Sequence, residues 1–371
     1  MRNVLIIGPT YIYGGVGTLI FGLCKYMHSE KLHFDFLDYQ NASDKEKNLI
    51  REMGGDFFHV PRYSKNPFKF LKYIFKFYKN NKYDFVHCNN STAMLFMYTL
   101  PLWFSRKTKI ICHSQSSFVP GKMDKIIHRF LRCVIIRRAD IFIAGSEKAA
   151  VHMFGRKISS KGEYLLLKNG VDTSKFKYNE EIRSKIRIQH KLEDKYVIGH
   201  LGRFTQAKNH PFIVDVFSLV CNMDTNSVLL LVGGGEDEEE IRSKVNCLGL
   251  DDRVIFFGMP NDVCEVLQAM DVFFFPSLWE GLPVALVEAQ AAGLPAVVST
   301  AVASEAKITS GFHFMDLNND SKEEWAKKLC SFKERYTRKD TCEDIINAGF
   351  DIKTSAKKLE KIYLGEANNA R

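Results

Sequence analysis

Short apolar runs recur along the whole chain, each closed by glycine, proline or a polar residue and separated from the next by a stretch of helical character. In the first half they are Asn3–Gly8, Phe34–Asp38, Asp56–Val60, Asp84–His87, Lys109–His113, Asp140–Ala144 and Glu163–Leu167. In the second half they are Tyr196–Leu201, Val228–Val232, Val254–Phe257, Val272–Phe275, Ala296–Val298 and Gly311–Phe314. Runs this short read as strands, and strands alternating with helices specify parallel, doubly wound sheets, an α/β fold. At 371 residues the chain has room for two such domains, each large enough to bury a core. The polar, helical stretch 173–195 places a linker near 175–180. The expected division is therefore 1–177, 178–349 and a terminal segment 350–371 carrying an amphipathic helix from Lys353 to Leu364. Two Rossmann-like halves put a ligand in a central cleft, where the carboxyl ends of the strands face each other.

Composition narrows the class. With 46% hydrophobic and 26% charged residues, the chain is neither disordered nor membrane-spanning. Its nine cysteines stand singly, with no C-x-x-C and no histidine cluster at metal-ligating spacing, and read as reduced core residues of a cytoplasmic protein. Met1-Arg-Asn runs straight into a strand, so no signal peptide is expected, and no apolar stretch is long enough to span a bilayer.

The most informative stretch is Met270 to Ser299, MDVFFFPSLWEGLPVALVEAQAAGLPAVVS. Its apolar strand is broken by Pro276 and Ser277, and a loop follows through Glu280 and Gly281. Pro283 suits the first turn of a helix, and Gly293 ends that helix. The unit carries two carboxylates, Glu280 in the loop and Glu288 on the helix. Such acids are ordinarily solvated. Here the helix is apolar nearly all round, so Glu288 should be buried with a partner. The helix N-terminus beside the loop is a seat for an anion. A carboxylate can also accept two hydrogen bonds from a vicinal diol, and together these features suit a sugar nucleotide.

Other loops fall at the same sheet edge. Gly202-Arg203-Phe-Thr-Gln-Ala-Lys208 presents two cations together, suited to a diphosphate, with Arg203 able to bind in bidentate fashion and Lys208 acting as a point charge. Those cations could also stabilise a leaving diphosphate, so no metal and no cofactor is expected. Gly233-Gly234-Gly235 and Gly258-Met259-Pro260 would let main chain approach a flat base. His113, at the end of its strand, faces the cleft from the other half, although an isolated histidine is more often a core or surface residue. The Gly14-Gly15-Val16-Gly17 loop suggests a dinucleotide site, with Asp38 as its ribose-binding acid. However, G-x-G-x-x-G fails at Ile20, and the loop is long for a pyrophosphate turn. The preferred reading is a loop whose backbone approaches a ligand at positions where a Cβ would intrude.

The net charge of +9 is uneven: residues 1–170 hold 27 Lys+Arg against 12 Asp+Glu, and the remainder 25 against 31. The excess gathers at Lys65, Lys69, Lys72, Lys76, Lys79 and Lys82, interleaved with aromatic and aliphatic residues. A second group comprises Lys122, Lys125, His128, Arg129, Arg132, Arg137 and Arg138. A membrane-facing stripe and an ordinary solvated face both fit this spacing. No nucleic-acid recognition motif accompanies it.

Taken together, the motifs resemble those of the retaining nucleotide-sugar glycosyltransferases of family four, with the GT-B fold, and in particular the branch that builds bacterial exopolysaccharide and capsule. The resemblance rests on Gly14-Gly-Val-Gly, His113-Ser, Ala139–Ser146, Asn169-Gly-Val-Asp, Gly202-Arg203 with Lys208-Asn209, Val232–Glu236, and Glu280 followed at Glu288. It implies that Glu288 holds the ribose, Arg203 and Lys208 the diphosphate, and Glu280 the sugar ring. His113 would touch the sugar, and Gly15 would approach phosphate or acceptor. Main-chain N–H groups after Glu280 would seat the diphosphate, and because Pro283 removes one donor the contact falls to Leu282, Val284 or a neighbour. Gly202, Gly234, Gly281 and Met259 complete the expected donor site. The resemblance also implies a C-terminal helix crossing back onto the first domain and a lipid-linked saccharide acceptor, hence a place on the inner face of the cell membrane. Two rivals use the same features differently. A nucleotide-sugar epimerase would turn over donor alone, and a non-catalytic scaffold would bind only membrane and partners.

Overall fold

Val4–Ile7, Val272–Phe275 and Ala296–Val298 are buried on both faces, which is why these runs show no polar alternation. The computed structural model describes residues 1–8, 15–27, 30–90, 92–116, 122–260, 262–280 and 282–366. The chain forms two units, one of Met1–Gly170 with the segment from Ile352 onward, the other Val171–Asp351. Entry to and exit from the second unit are stitched together. Val171 N–H donates to Phe350 O at 2.8 Å, and Thr173 Oγ1 donates to Asp351 Oδ1 at 3.1 Å.

The first unit holds β1 (Arg2–Ile7), β2 (Leu32–Asp38), β3 (Phe57–His59), β4 (Phe85–Asn90), β5 (Lys109–Ser114), β6 (Ile141–Ala144) and β7 (Leu165–Leu166). These pair in parallel in the order β3-β2-β1-β4-β5-β6-β7. The second holds β8 (Tyr196–Leu201), β9 (Ser227–Val232), β10 (Val254–Gly258), β11 (Val272–Phe275), β12 (Ala296–Ser299) and β13 (Phe312–Met315). Their order is β10-β9-β8-β11-β12-β13, again parallel. Each sheet reverses its winding once, between β1 and β4 and between β8 and β11, and ligands of such sheets bind outside the carboxyl ends at that reversal. Each sheet also carries an apolar layer on both faces.

The Ile352–Leu364 helix belongs to the core of the first unit. Its Ala356, Leu359 and Tyr363 are buried beside Leu19, Ile20 and Leu23 of the Gly15–Tyr26 helix. A Cβ at Gly22 would collide with Ile352 Cδ1, so glycine sets how closely the two helices approach.

Two local expectations are corrected. The stretch 173–195 is broken into helices Thr173–Phe176 and Glu180–Gln189, because Lys177 adopts an extended ψ of 135°. Pro283 does not lie within the first helical turn. It caps the Val284–Ala291 helix in extended conformation (φ −72°, ψ 125°), and its carbonyl accepts from Leu286 N–H at 3.1 Å.

Candidate active site

At the reversal of the second sheet, the loops after β8 and β11 clasp each other. Leu278 N–H donates to Ala207 O at 2.8 Å, and Asn209 Nδ2 donates to Pro276 O at 3.2 Å. Asn209 is left-handed (φ 58°, ψ 43°), a conformation that asparagine tolerates, and it turns the chain from the Gln206–Lys208 turn into the next helix. Ser299 Oγ donates to Ser277 O at 2.5 Å and ties the β11 loop to β12.

The clasp brings Lys208 and Glu280 together, with Nζ and Oε1 2.5 Å apart and the side chains only 16% and 20% exposed. The same ammonium lies 4.4 Å from the centre of the Phe275 ring. Arg203, by contrast, is exposed, and its guanidinium has no ion-pair partner among the described residues. The two cations expected to act alike are therefore in different states: Lys208 is already balanced by a carboxylate, while Arg203 is open.

Glycines make the surrounding loops possible. A Cβ at Gly202 would stand 2.8 Å from His200 Nε2 and 3.1 Å from the Lys208 side chain. Gly233, at φ +138°, leaves no room for a Cβ against Gly202 O, and Gly235 none against Phe204 O. Gly234 lies beside Met259, whose side chain is 57% exposed and offers a polarizable apolar surface at the same edge. Leu282 and Val284 pack partly against the core. Gly281 lies outside the described residues, as does the chain from Pro9 to Gly14, and Gly15 begins the first helix.

Glu288 was expected to be buried with a partner. It is instead partly exposed, and its carboxylate has no hydrogen-bond partner among the described residues. Its carboxyl is pushed up to about 7, chiefly by desolvation, with Lys175 pulling the other way and Asp262 adding to the rise. Those two neighbours pair with each other, Lys175 Nζ to Asp262 Oδ2 at 3.0 Å. Sequence reasoning missed both, because each lies on a separate element with no motif of its own.

In the first unit, His113 is the penultimate residue of β5 and has no solvent exposure. Its Nδ1 is 3.2 Å from His87 Nε2 and its Nε2 is 3.0 Å from the Gln115 amide nitrogen. Burial lowers both imidazoles, His87 to about 3 and His113 well below the ordinary value, so both are neutral. Asp38, the candidate ribose acid of the rejected dinucleotide reading, is buried and accepts from Gln40 N–H at 3.2 Å.

The cationic helix Pro67–Asn80 is capped by Asn66, whose side chain accepts from Lys69 N–H at 2.9 Å. Lys69, Lys72, Lys76 and Lys79 are all exposed, and Phe68 (85% exposed) and Phe75 (52%) share their face. The second cationic group is only partly a surface feature. Arg138 is buried, bonding Leu102 O, Ser105 O and Asp140, and His128 is buried against His152 O, because they tie the Lys122–Arg138 helix to its neighbours. Among the described residues no helix is long and apolar enough to cross a membrane, and no cluster of three acids, histidines or cysteines could hold a metal.

Comparison with known proteins agrees with this architecture. The family described as Glycosyltransferase Family 4 matches residues 13–175, and that described as Glycosyl transferases group 1 matches residues 182–351. The chain is 28% identical to the putative glycosyltransferase EpsF of Bacillus subtilis, over 94% of this chain and 93% of that protein. It is 26% identical to a UDP-Gal:alpha-D-GlcNAc-diphosphoundecaprenol alpha-1,3-galactosyltransferase of Escherichia coli, over 83% of each. The fold matches HepE of Anabaena, solved with UDP, with TM-score 0.77, 18% identity and coverage of 98% of this chain and 100% of that one. The chain belongs to family four of the glycosyltransferases and has the GT-B fold.

Proposed function

We propose that this protein transfers a glycosyl unit from a nucleotide diphosphate sugar, UDP- or GDP-linked, to a lipid-linked saccharide in bacterial exopolysaccharide, capsule or O-antigen assembly. The observation that carries the reading is the open Arg203 beside the Lys208–Glu280 pair at the winding reversal of the second sheet, where such sheets bind their ligands. The E. coli relative, named as acting on a diphosphoundecaprenol-linked sugar, and the UDP complex of HepE support the donor and acceptor classes.

In this reading Arg203 and Lys208 bind the diphosphate and stabilise its charge as the glycosyl bond breaks, a task cations perform without a metal. When the diphosphate takes Lys208, Glu280 is released to accept from a hydroxyl of the sugar ring. Ionised Glu288 accepts from the ribose diol, and Met259 and Gly234 border the base. Main-chain N–H groups at Leu282, Val284 or Gly281, with Gly202 and Gly15, complete the phosphate contacts, and His113, buried with both ring nitrogens engaged, serves the sugar only through Gln115. Anomeric configuration is retained: the acceptor hydroxyl attacks from the face the diphosphate leaves, and a diphosphate oxygen takes its proton. The exposed Lys and Phe face of the Pro67–Asn80 helix docks on an anionic leaflet, which brings the enzyme to its lipid-borne acceptor. The test is a screen of nucleotide sugars for nucleoside diphosphate release, with and without a lipid-linked saccharide. Release that depends on acceptor supports transfer, whereas conversion of donor alone points to an epimerase.

A further inference from the structure

A buried chain of polar groups crosses the first unit from its last helix to the carboxyl edge of its sheet. Tyr363 Oη lies 2.5 Å from His87 Nδ1, His87 Nε2 lies 3.2 Å from His113 Nδ1, and His113 Nε2 meets the Gln115 amide. Tyr363 is wholly buried, and among the described residues His87 is the one hydrogen-bond partner of its hydroxyl.

The direction of this chain follows from counting donors. If His87 donated from Nδ1, the Tyr363 hydroxyl proton would be stranded in an apolar pocket, and a buried donor left unpaired is destabilising. Tyr363 therefore donates to His87 Nδ1. His87, being neutral, must carry its proton on Nε2 and donate to His113 Nδ1. His113 is in turn fixed as the Nε2–H form, a donor. As placed, the Gln115 nitrogen faces this donor, while Gln115 Oε1 is buried without a partner. Amide oxygen and nitrogen are interchangeable in shape, and turning the amide lets Oε1 accept from His113. Asn169 Oδ1 is likewise buried and unpartnered. A Cβ at Gly145 would stand 3.3 Å from Asn169 Oδ1 and 3.7 Å from Gln115 Oε1, so the two amides flank one glycine. Turning the Gln115 amide aims its NH2 group into the space that Asn169 Oδ1 borders.

We propose that Tyr363 and His87 are positioning residues which, through His113, fix the Gln115 amide so that Gln115 and Asn169 form a two-amide subsite for a sugar hydroxyl. A hydroxyl both donates and accepts. The NH2 of Gln115 and the free carbonyl of Asn169 offer it both complements beside a glycine that leaves room for the ring. The role of this subsite rests on the transferase reading above, whereas the direction of the relay does not. That hydroxyl belongs to the transferred sugar or to the acceptor, and the kinetics separate the two.

The test has two parts. Ring-15N histidine labelling of the full chain, assigned with His87→Gln and His113→Gln, reads the tautomers directly. His113 is expected as Nε2–H in the wild type and as a mixture in Tyr363→Phe. An Nδ1–H form in the wild type would reverse the chain and overturn the proposal, whatever the protein catalyses. Kinetically, Tyr363→Phe is expected to raise KM roughly threefold to tenfold, the worth of one hydrogen bond, for the one substrate that carries the hydroxyl, donor or acceptor. Asn169→Ala should raise the same KM, and Tyr363→Phe should add nothing in a Gln115→Ala background. Additive effects, or no shift in either KM, would reduce the chain to core packing and overturn the subsite.

Discussion

The ammonium of Lys208 stands 2.5 Å from the carboxylate of Glu280, seventy-two residues further along the chain, and both side chains are mostly shielded from water. On the proposed assignment a donor diphosphate must compete with Glu280 for that ammonium, which would make the pair a switch between an empty and a loaded site. Lys208→Ala should weaken nucleoside diphosphate binding by about 2–3 kcal/mol, since it removes a cation and leaves Glu280 unbalanced beside the phosphates. Glu280→Gln should leave binding of the bare diphosphate intact or tighter while lowering turnover. The double variant should bind better than the two single losses combined predict. Calorimetry on the four proteins measures this, and strict additivity would contradict the competition.

Arg203 should behave differently because it is exposed and unpaired. Arg203→Ala is expected to reduce donor affinity tenfold to a hundredfold, with the melting temperature unchanged. Arg203→Lys should recover only part, because it lacks the bidentate fork. Binding isotherms at two salt concentrations, with a thermal melt as control, decide the matter.

Glu288 carries the pH dependence. Desolvation pushes its carboxyl up to about 7 in the folded protein, from an ordinary 4.5. The folded state thus holds the proton more tightly than the unfolded one does. The stability associated with this group is full below about 4.5 and is lost as pH rises through about 7. If Glu288 accepts from the ribose diol as proposed, binding needs the ionised form, and donor affinity should rise from pH 6 to pH 8 with release of a proton. Desolvation dominates the rise, with Lys175 lowering the midpoint and Asp262 raising it. Glu288→Gln should raise the melting temperature at pH 8 and abolish the pH dependence of binding. Calorimetry in buffers of different ionisation enthalpy counts the proton, and a count of zero in the wild type would contradict the assignment.

The exposed face of the Pro67–Asn80 helix predicts membrane behaviour. Replacing Lys69, Lys72, Lys76 and Lys79 with Gln should lower binding to anionic vesicles by about 1 kcal/mol per charge at low salt. Phe68→Ser with Phe75→Ser should lower it at any salt, since insertion of aromatic rings is not screened. Vesicle co-sedimentation across a salt series separates the two contributions.

How much of this was legible in the sequence depended on range. The strands were readable because runs such as Val272–Phe275 are apolar throughout and bounded by Pro276. Gly293, at φ +71°, stops its helix as its position suggested. The eight-residue step from Glu280 to Glu288 was legible as a motif. What each acid touches was not: Lys208, Lys175 and Asp262 reach them across gaps that only the folded sheet closes. Arg138 misled for a related reason. Its spacing matches a surface stripe, yet the carbonyls of Leu102 and Ser105 capture its guanidinium in the interior. The relay through His87 was invisible because its far end, Tyr363, is 276 residues away.

That distance bears on how the protein is made. The Ile352–Leu364 helix fills the core beside Leu19, Ile20 and Leu23, so the Gly15–Tyr26 helix lacks its packing partner until the whole second unit has been synthesised. Val171–Asp351 has apolar clusters built from its own residues and can mature while the preceding portion waits. A stop codon shortly before Ile352 would therefore injure the first unit and spare the second, which adjoins the lesion.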